Sequence, residues 1–240
     1  MRRLDTITGG ADRLRVGSWR GDASAALVSP TPGVAPSRSG LDAACDELRQ
    51  RGYRTVLTPA LTVYEQGPFA DAGFTVHERL HLLRHDLRHI PSPSAAAARL
   101  RRGRHRDVDD VLVVDGLAFD RFWRFDAASL SDARTATPQS RFRVAVVDRS
   151  IVGYHVTGRA GTLGYLQRLA VHPDLHGRGL GTALIGDSLD WCARRGCTSV
   201  LVNTQEINQR ALSLYEHLGF RHEPSGLAVL ERRLDTEPAE

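Results

Sequence analysis

The feature that most constrains this chain is a run of alternate glycines, Gly177, Gly179 and Gly181, set between a strand pattern and a helix pattern. The apolar strand, residues 163–171, stops at His172-Pro173, because proline cannot donate to a ladder. The helix runs to about Arg195, with Leu184, Ile185, Leu189 and Cys192 on its inner side, and Gly196 closes it. Glycines at this junction let the backbone turn tightly and approach a ligand closely. The first N–H groups of the helix have no intrahelical acceptor, so amides and helix dipole together suit an anion such as a pyrophosphate. Arg178 adds charge at the rim. The same residues also fit a tight turn that binds nothing, and the loop alone does not separate the two.

Around this junction the pattern is mixed. Residues 117–130 carry Leu117, Phe119, Phe122 and Phe125 at helical spacing, predicting a helix or helix pair packed on a sheet. Residues 142–147 and 151–157 are β-branched runs joined by Asp148-Arg149-Ser150, a hairpin signal. After the glycine helix come a short strand at 199–202, a helix at 208–218 closed by Gly219, and a final strand at 226–234. A meander followed by alternating strands and helices predicts an α/β (α+β) fold: a mixed, mostly antiparallel twisted sheet flanked by helices. The prolines at 91 and 93, the alanine run and the arginine block at 99–106 predict an interdomain linker over 89–107, between an N-terminal lobe at 1–88 and a domain at 108–240.

The run Leu166-Gln-Arg-Leu-Ala-Val-His-Pro-Asp-Leu-His-Gly-Arg-Gly-Leu-Gly181, followed 27 residues later by Asn208-Gln-Arg-Ala-Leu-Ser-Leu-Tyr-Glu-His-Leu-Gly-Phe220, resembles the two central motifs of the GNAT (GCN5-related) N-acetyltransferases. The resemblance covers about 130 residues. It implies that acetyl-CoA is the co-substrate and that a primary amine of a small molecule or protein attacks it directly in a ternary complex. It implies cofactor contacts from the backbone at Leu169, Ala170 and Val171, from His176, Gly177, Arg178, Gly179, Leu180, Gly181 and Thr182, and from Asn208. Tyr215 matches the proton donor to the departing thiolate. His176 stands where the family often has Gln or Arg. The family's ribosomal-protein branch has a glutamate five residues before the motif asparagine; here that residue is Asn203, which cannot accept a proton at neutral pH. Glu206, His155 and His172 are nearby bases, and a water chain serves equally. A non-catalytic acyl-CoA-binding module is the alternative reading. Asn208 reads equally as a helix N-cap, and Tyr215 as a core residue.

The N-terminal half echoes this pattern. LDAACDELRQRG at 41–52 resembles IGDSLDWCARRG at 185–196, each followed by a strand, a helix and a Gly-Phe pair. Where the second copy has its glycine loop, the first has three prolines within 29–40, which remove three amide donors. The expectation is a degenerate GNAT-like lobe that binds no CoA there, and a tandem arrangement similar in outline to mycothiol synthases. His77, His81, His85 and His89 recur every fourth residue, but without a carboxylate or cysteine partner they predict no metal. The arginine block lacks interleaved aromatics, which argues against nucleic acid. The chain has no lysine, a net charge of +4 and three irregularly spaced cysteines, so neither self-acetylation on lysine nor a disulfide framework is available. With no membrane-length apolar run, the expectation is a cytoplasmic enzyme without a membrane partner; a homodimer is left open.

Overall fold

The computed structural model describes residues 5–235 apart from 10, 11, 32 and 91–97. In chain order the first elements are β1 (Asp5–Gly9), β2 (Asp12–Ser18), β3 (Ala25–Pro30), α1 (Arg38–Gln50), β4 (Thr55–Leu57), β5 (Leu61–Thr62), α2 (Val63–Asp71) and β6 (Thr75–His85). Then follow β7 (Arg99–Arg102), α3 (Val108–Ala118), α4 (Ala127–Thr135), β8 (Gln139–Val147), β9 (Ser150–Ala160) and β10 (Leu163–Val171). The last are α5 (Leu180–Arg194), β11 (Ser199–Gln205), α6 (Gln209–His217), β12 (Arg221–His222) and β13 (Leu227–Arg233). No helix among the described residues is long and apolar enough to cross a membrane.

Two compact units divide the chain, one of residues 82–223 and one of residues 2–81 with 224–240. The larger is a mixed α/β layer structure. Its strands β8, β9 and β10 form an antiparallel meander, and β10 then runs parallel to β11. Helices α3 and α4 cover one face through Val111, Val114, Leu130, Tyr154, Val156 and Ala170. Helix α5 covers the other through Leu180 and Leu184, packed with Val152, Leu169 and Val171. Helices α5 and α6 each end where a glycine can take positive φ, Gly196 at +76° after α5 and Gly219 at +91° after α6.

The other unit follows the same order: the meander β1–β2–β3, the helix α1, β4 parallel to β3, and α2. Its core gathers Leu14, Val16, Val28, Leu41, Leu48, Val56, Phe69 and Phe74 with Leu230 and Leu234.

Three expectations change. The final strand, assigned from sequence to the C-terminal domain, is β13, and it pairs antiparallel with β4, β5 and residues 75–80 of β6. The arginine block is no solvated linker over residues 99–107: Arg99–Arg102 pairs along β8, Arg101 makes two hydrogen bonds to Asp107 at 2.6 and 2.8 Å, and a Cβ at Gly103 would lie 2.4 Å from the Phe142 ring. Residues 91–97 lie outside the described residues. The aromatic series at 119–125 falls between α3 and α4 rather than on a helix, because the rings are drawn around a buried guanidinium described below. His77, His81 and His85 lie four apart on β6, and among the described residues no group of three or more His, Cys, Asp or Glu could hold a metal.

Candidate functional site

The site grows from a failure of pairing. Strands β10 and β11 stay together for three positions, Leu163–Tyr165 against Ser199–Leu201, and the ladder ends while both strands continue. On its other side β10 remains paired with β9 as far as Val171 opposite Gly153, and the His172 N–H donates to the Val152 carbonyl at 2.8 Å. Main-chain direction alternates along an antiparallel pair, so Ala170 turns its N–H and C=O toward β9 while Leu169 and Val171 turn theirs toward the side that β11 has left. Of the three strand residues assigned from sequence, two face the gap and Ala170 does not.

At the mouth of this gap the chain makes a single 3₁₀ turn, Pro173–Leu175, and enters the glycine loop. Gly177 and Gly179 have φ of +74° and +75°, which a side chain with Cβ adopts only with strain. A Cβ at Gly177 would have nothing within 4 Å, so backbone conformation rather than space demands glycine there. Gly179 is the N-cap of α5 and supplies no side-chain cap. The first backbone bond of the helix runs from the Ala183 N–H to the Gly179 carbonyl, leaving the N–H groups of Leu180, Gly181 and Thr182 without an intrahelical acceptor. Gly181 differs from its two neighbours, since a Cβ there would stand 2.8 Å from Cδ2 of Leu214, and its role is to let α6 approach α5.

Two residues of α6 matter. Asn208 is the N-cap: its Oδ1 accepts from the Ala211 N–H at 3.1 Å. Tyr215 is 5% exposed, packs on Phe220 at a centroid distance of 5.4 Å, and no hydrogen bond to its hydroxyl is present among the described residues. Burial pushes its phenol up, and the positive charge of Arg168 pulls the other way, so the hydroxyl keeps its proton at neutral pH. His176 points its Nε2 at the Val171 carbonyl, 3.0 Å away, and its Nδ1 accepts from the guanidinium of Arg210.

The nearby bases divide. His155 is wholly buried, with Nδ1 against Thr157 Oγ1 at 2.9 Å and Nε2 against Asp187 Oδ2 at 3.0 Å, and burial lowers its pKa. Burial opposes the charge on Asp187, yet hydrogen bonds from Arg141 and His155 hold its carboxyl below the usual carboxylate range. Both ring nitrogens of His155 are thus occupied within this network. Glu206 and Asn203 are exposed, and His172 Nδ1 accepts from the Asp174 N–H at 3.3 Å.

Sequence reasoning missed a buried ion pair. Arg168 reaches Asp115 through two hydrogen bonds, at 2.7 and 2.8 Å, and a third to the Trp123 carbonyl at 2.7 Å. Its guanidinium lies 3.4 Å from the Phe119 ring centroid and 3.9 Å from that of Phe125. The Tyr154 hydroxyl donates to Asp115 at 2.5 Å and the Phe125 N–H at 2.7 Å. The signal was a lone arginine inside the apolar run of β10.

The smaller unit ends its first helix differently. Ser37 caps α1, its Oγ accepting from the Gly40 N–H at 3.1 Å, and Asp12 accepts from the Ser37 N–H and hydroxyl at 2.8 and 2.5 Å. A Cβ at Gly40 would fall 2.1 Å from Asp12 Oδ2. The hydrogen bonds from Ser37 lower the Asp12 pKa. A carboxylate of the chain itself thus sits at this helix start.

Residues 110–220 match the model of the acetyltransferase (GNAT) family. A tandem GNAT protein from the clavulanic acid biosynthesis pathway, solved without AcCoA, is 18% identical with a TM-score of 0.65 over 96% of this chain and 82% of its own. A GCN5-related N-acetyltransferase from Sphaerobacter thermophilus gives 16% and 0.62 over 93% and 77%. Another from Kribbella flavida gives 11% and 0.63 over 99% and 90%. At these identities the structural likenesses establish the fold.

Proposed function

Because residues 110–220 form a domain of the acetyltransferase (GNAT) family, we propose that this chain moves an acetyl group from acetyl-CoA to a primary amine of a small molecule or protein by direct attack. One observation carries the reading: the β10–β11 ladder ends after Tyr165, so the main chain of Leu169 and Val171 faces a gap whose mouth is the uncapped start of α5. Acetyl-CoA supplies the activated acetyl group. Leu169 and Val171 offer an extended arm the donors and acceptors of a missing strand partner. The N–H groups of Leu180, Gly181 and Thr182, with the dipole of α5, suit its pyrophosphate, and Arg178 adds charge beside them. Tyr215, kept protonated by burial, is the donor to the departing sulfur. Asn208 orders the start of α6, on which Tyr215 is carried.

The smaller unit fits a degenerate second copy. It repeats the element order and pairing senses, but Asp12 occupies the start of α1, and a carboxylate there repels a phosphate. One cofactor per chain is the expected stoichiometry.

Calorimetric titration of acetyl-CoA tests this, beside Gly177→Asp. Asp tolerates a left-handed backbone better than most residues, and its Cβ meets nothing at this position, so the variant folds and places a negative charge in the cradle. Binding by the wild type that the variant loses supports the cofactor site. A screen of amines with Tyr215→Phe follows; retained binding with turnover lowered about 10²–10⁴-fold supports the proton donor. No binding by the wild type removes the enzyme reading, and binding without turnover on any amine leaves an acyl-CoA-binding module.

A further inference from the structure

The Val171 carbonyl faces the side of β10 that has no strand partner, and a buried or half-buried carbonyl needs a donor. His176, five residues on, supplies it: Nε2 lies 3.0 Å from that oxygen. A carbonyl only accepts, so the imidazole proton is on Nε2 and the Nδ1 lone pair is free to receive. It receives the Arg210 guanidinium from the first turn of α6. Arg210 is exposed and has no ion-pair partner among the described residues, so a cation with five donors is held by one neutral acceptor. The same carbonyl is one of the groups that an extended acyl-pantetheine arm needs, and the same guanidinium stands beside the loop assigned to its phosphates.

We propose that His176 is a latch across the cofactor groove, closed on the Val171 carbonyl and held by Arg210, and that binding opens it by giving the carbonyl to an amide N–H of the incoming arm and Arg210 to a phosphate. This rests on the acetyl-CoA reading above and adds Arg210 to the binding residues. The exchange is even at the carbonyl and favourable at the guanidinium. An amide donor replaces an imidazole donor at the carbonyl, and a charged, bidentate acceptor replaces a neutral one at the guanidinium. The latch therefore lowers apparent affinity by the fraction of time the groove stands open.

The experiment compares acetyl-CoA with acetyl-pantetheine, which lacks every phosphate, by calorimetry on the full chain. Three variants are used, His176→Ala, His176→Gln and Arg210→Ala, each checked by thermal melting. His176→Ala removes the latch and binds both ligands more tightly, by about tenfold if the open form is near one part in ten. His176→Gln keeps a donor for Val171 and an acceptor for Arg210 in one amide, and binds like the wild type. Arg210→Ala weakens acetyl-CoA by about tenfold, as for one lost hydrogen bond between charged partners, and does not weaken acetyl-pantetheine.

Wild-type binding with a His176→Ala variant that binds no more tightly overturns the latch while leaving the acetyl-CoA reading intact. Equal weakening of both ligands by Arg210→Ala overturns the phosphate role. Absence of binding in the wild type and in His176→Ala alike removes both readings together. A wild type that fails to bind beside a His176→Ala variant that binds supports a latch that stays shut.

Discussion

Replacing Asp115 with Asn leaves the shape of the core nearly unchanged and removes the charge that Arg168 is built around. Asp115 accepts four hydrogen bonds, two from Arg168, one from Tyr154 and one from the Phe125 N–H, and it is wholly buried. An Asn side chain has one accepting oxygen, so its NH₂ meets donors where a carboxylate oxygen stood. Arg168, 7% exposed, then keeps its charge with no counter-ion, only one amide oxygen, the Trp123 carbonyl and two aromatic faces as partners. Removing one member of a buried pair costs about 3–5 kcal/mol, because the surviving charge is stranded. At about 2–4 °C per kcal/mol for a chain of this size, the melting temperature falls by roughly 6–20 °C. Urea unfolding followed by tryptophan fluorescence measures the loss directly. A double variant, Asp115→Leu with Arg168→Met, is expected to cost less than Asp115→Asn alone, since well-packed apolar groups often replace a buried pair without penalty. A loss below about 1 kcal/mol for Asp115→Asn would refute the reasoning, by showing that water or another acceptor reaches Arg168.

Three further outcomes are expected. Burial lowers the pKa of His85 and His155, so the unfolded chain binds more protons below about pH 6.5, and stability present above that pH is lost as the solution is acidified through the folded values. Urea midpoints at pH 7.5 and pH 5.5 check it, and His155→Gln should flatten the slope. Asp12→Ala removes the acceptor at Ser37 and should cost about 1 kcal/mol, as for a lost helix cap, while acetyl-CoA stoichiometry stays at one per chain. Gly181→Ala forces Leu214 away from a Cβ 2.8 Å distant and shifts α6 by the flexibility of one leucine. A stability loss of about 1–3 kcal/mol is expected in denaturant, with turnover falling because Tyr215 moves with the helix.

The elements around the glycine loop were legible because each carries its own local signal. Proline at 173 ends β10, alternate glycines start α5, and glycines at 196 and 219 close two helices. Ala170 was misassigned to the gap because main-chain direction depends on which neighbour a strand keeps, and that is a property of the sheet. Residues 119–125 read as helix because their ring spacing is helical, whereas a guanidinium 53 positions away from Asp115 decides their place. The arginine block read as linker because charge density resembles solvated chain; the open edge of β8 and the Arg101–Asp107 pair outweigh it. The final strand was legible as a strand but not in its partners, since pairing across more than 170 residues leaves no local trace.

That last pairing makes residues 82–223 an insertion within another fold, and the insertion closes on itself: the Glu223 N–H donates to the Leu82 carbonyl at 2.9 Å. On a ribosome the order of completion is therefore inverted. When β6 emerges, the unit begun first still lacks the strand that contributes Leu230 to its core. At about 5–20 residues per second, it waits roughly seven to thirty seconds for β13 while the later unit is made and folds ahead of it. During that interval the edges of β4 and β6 that β13 later covers are open to pairing with another chain, the kind of surface a chaperone shields.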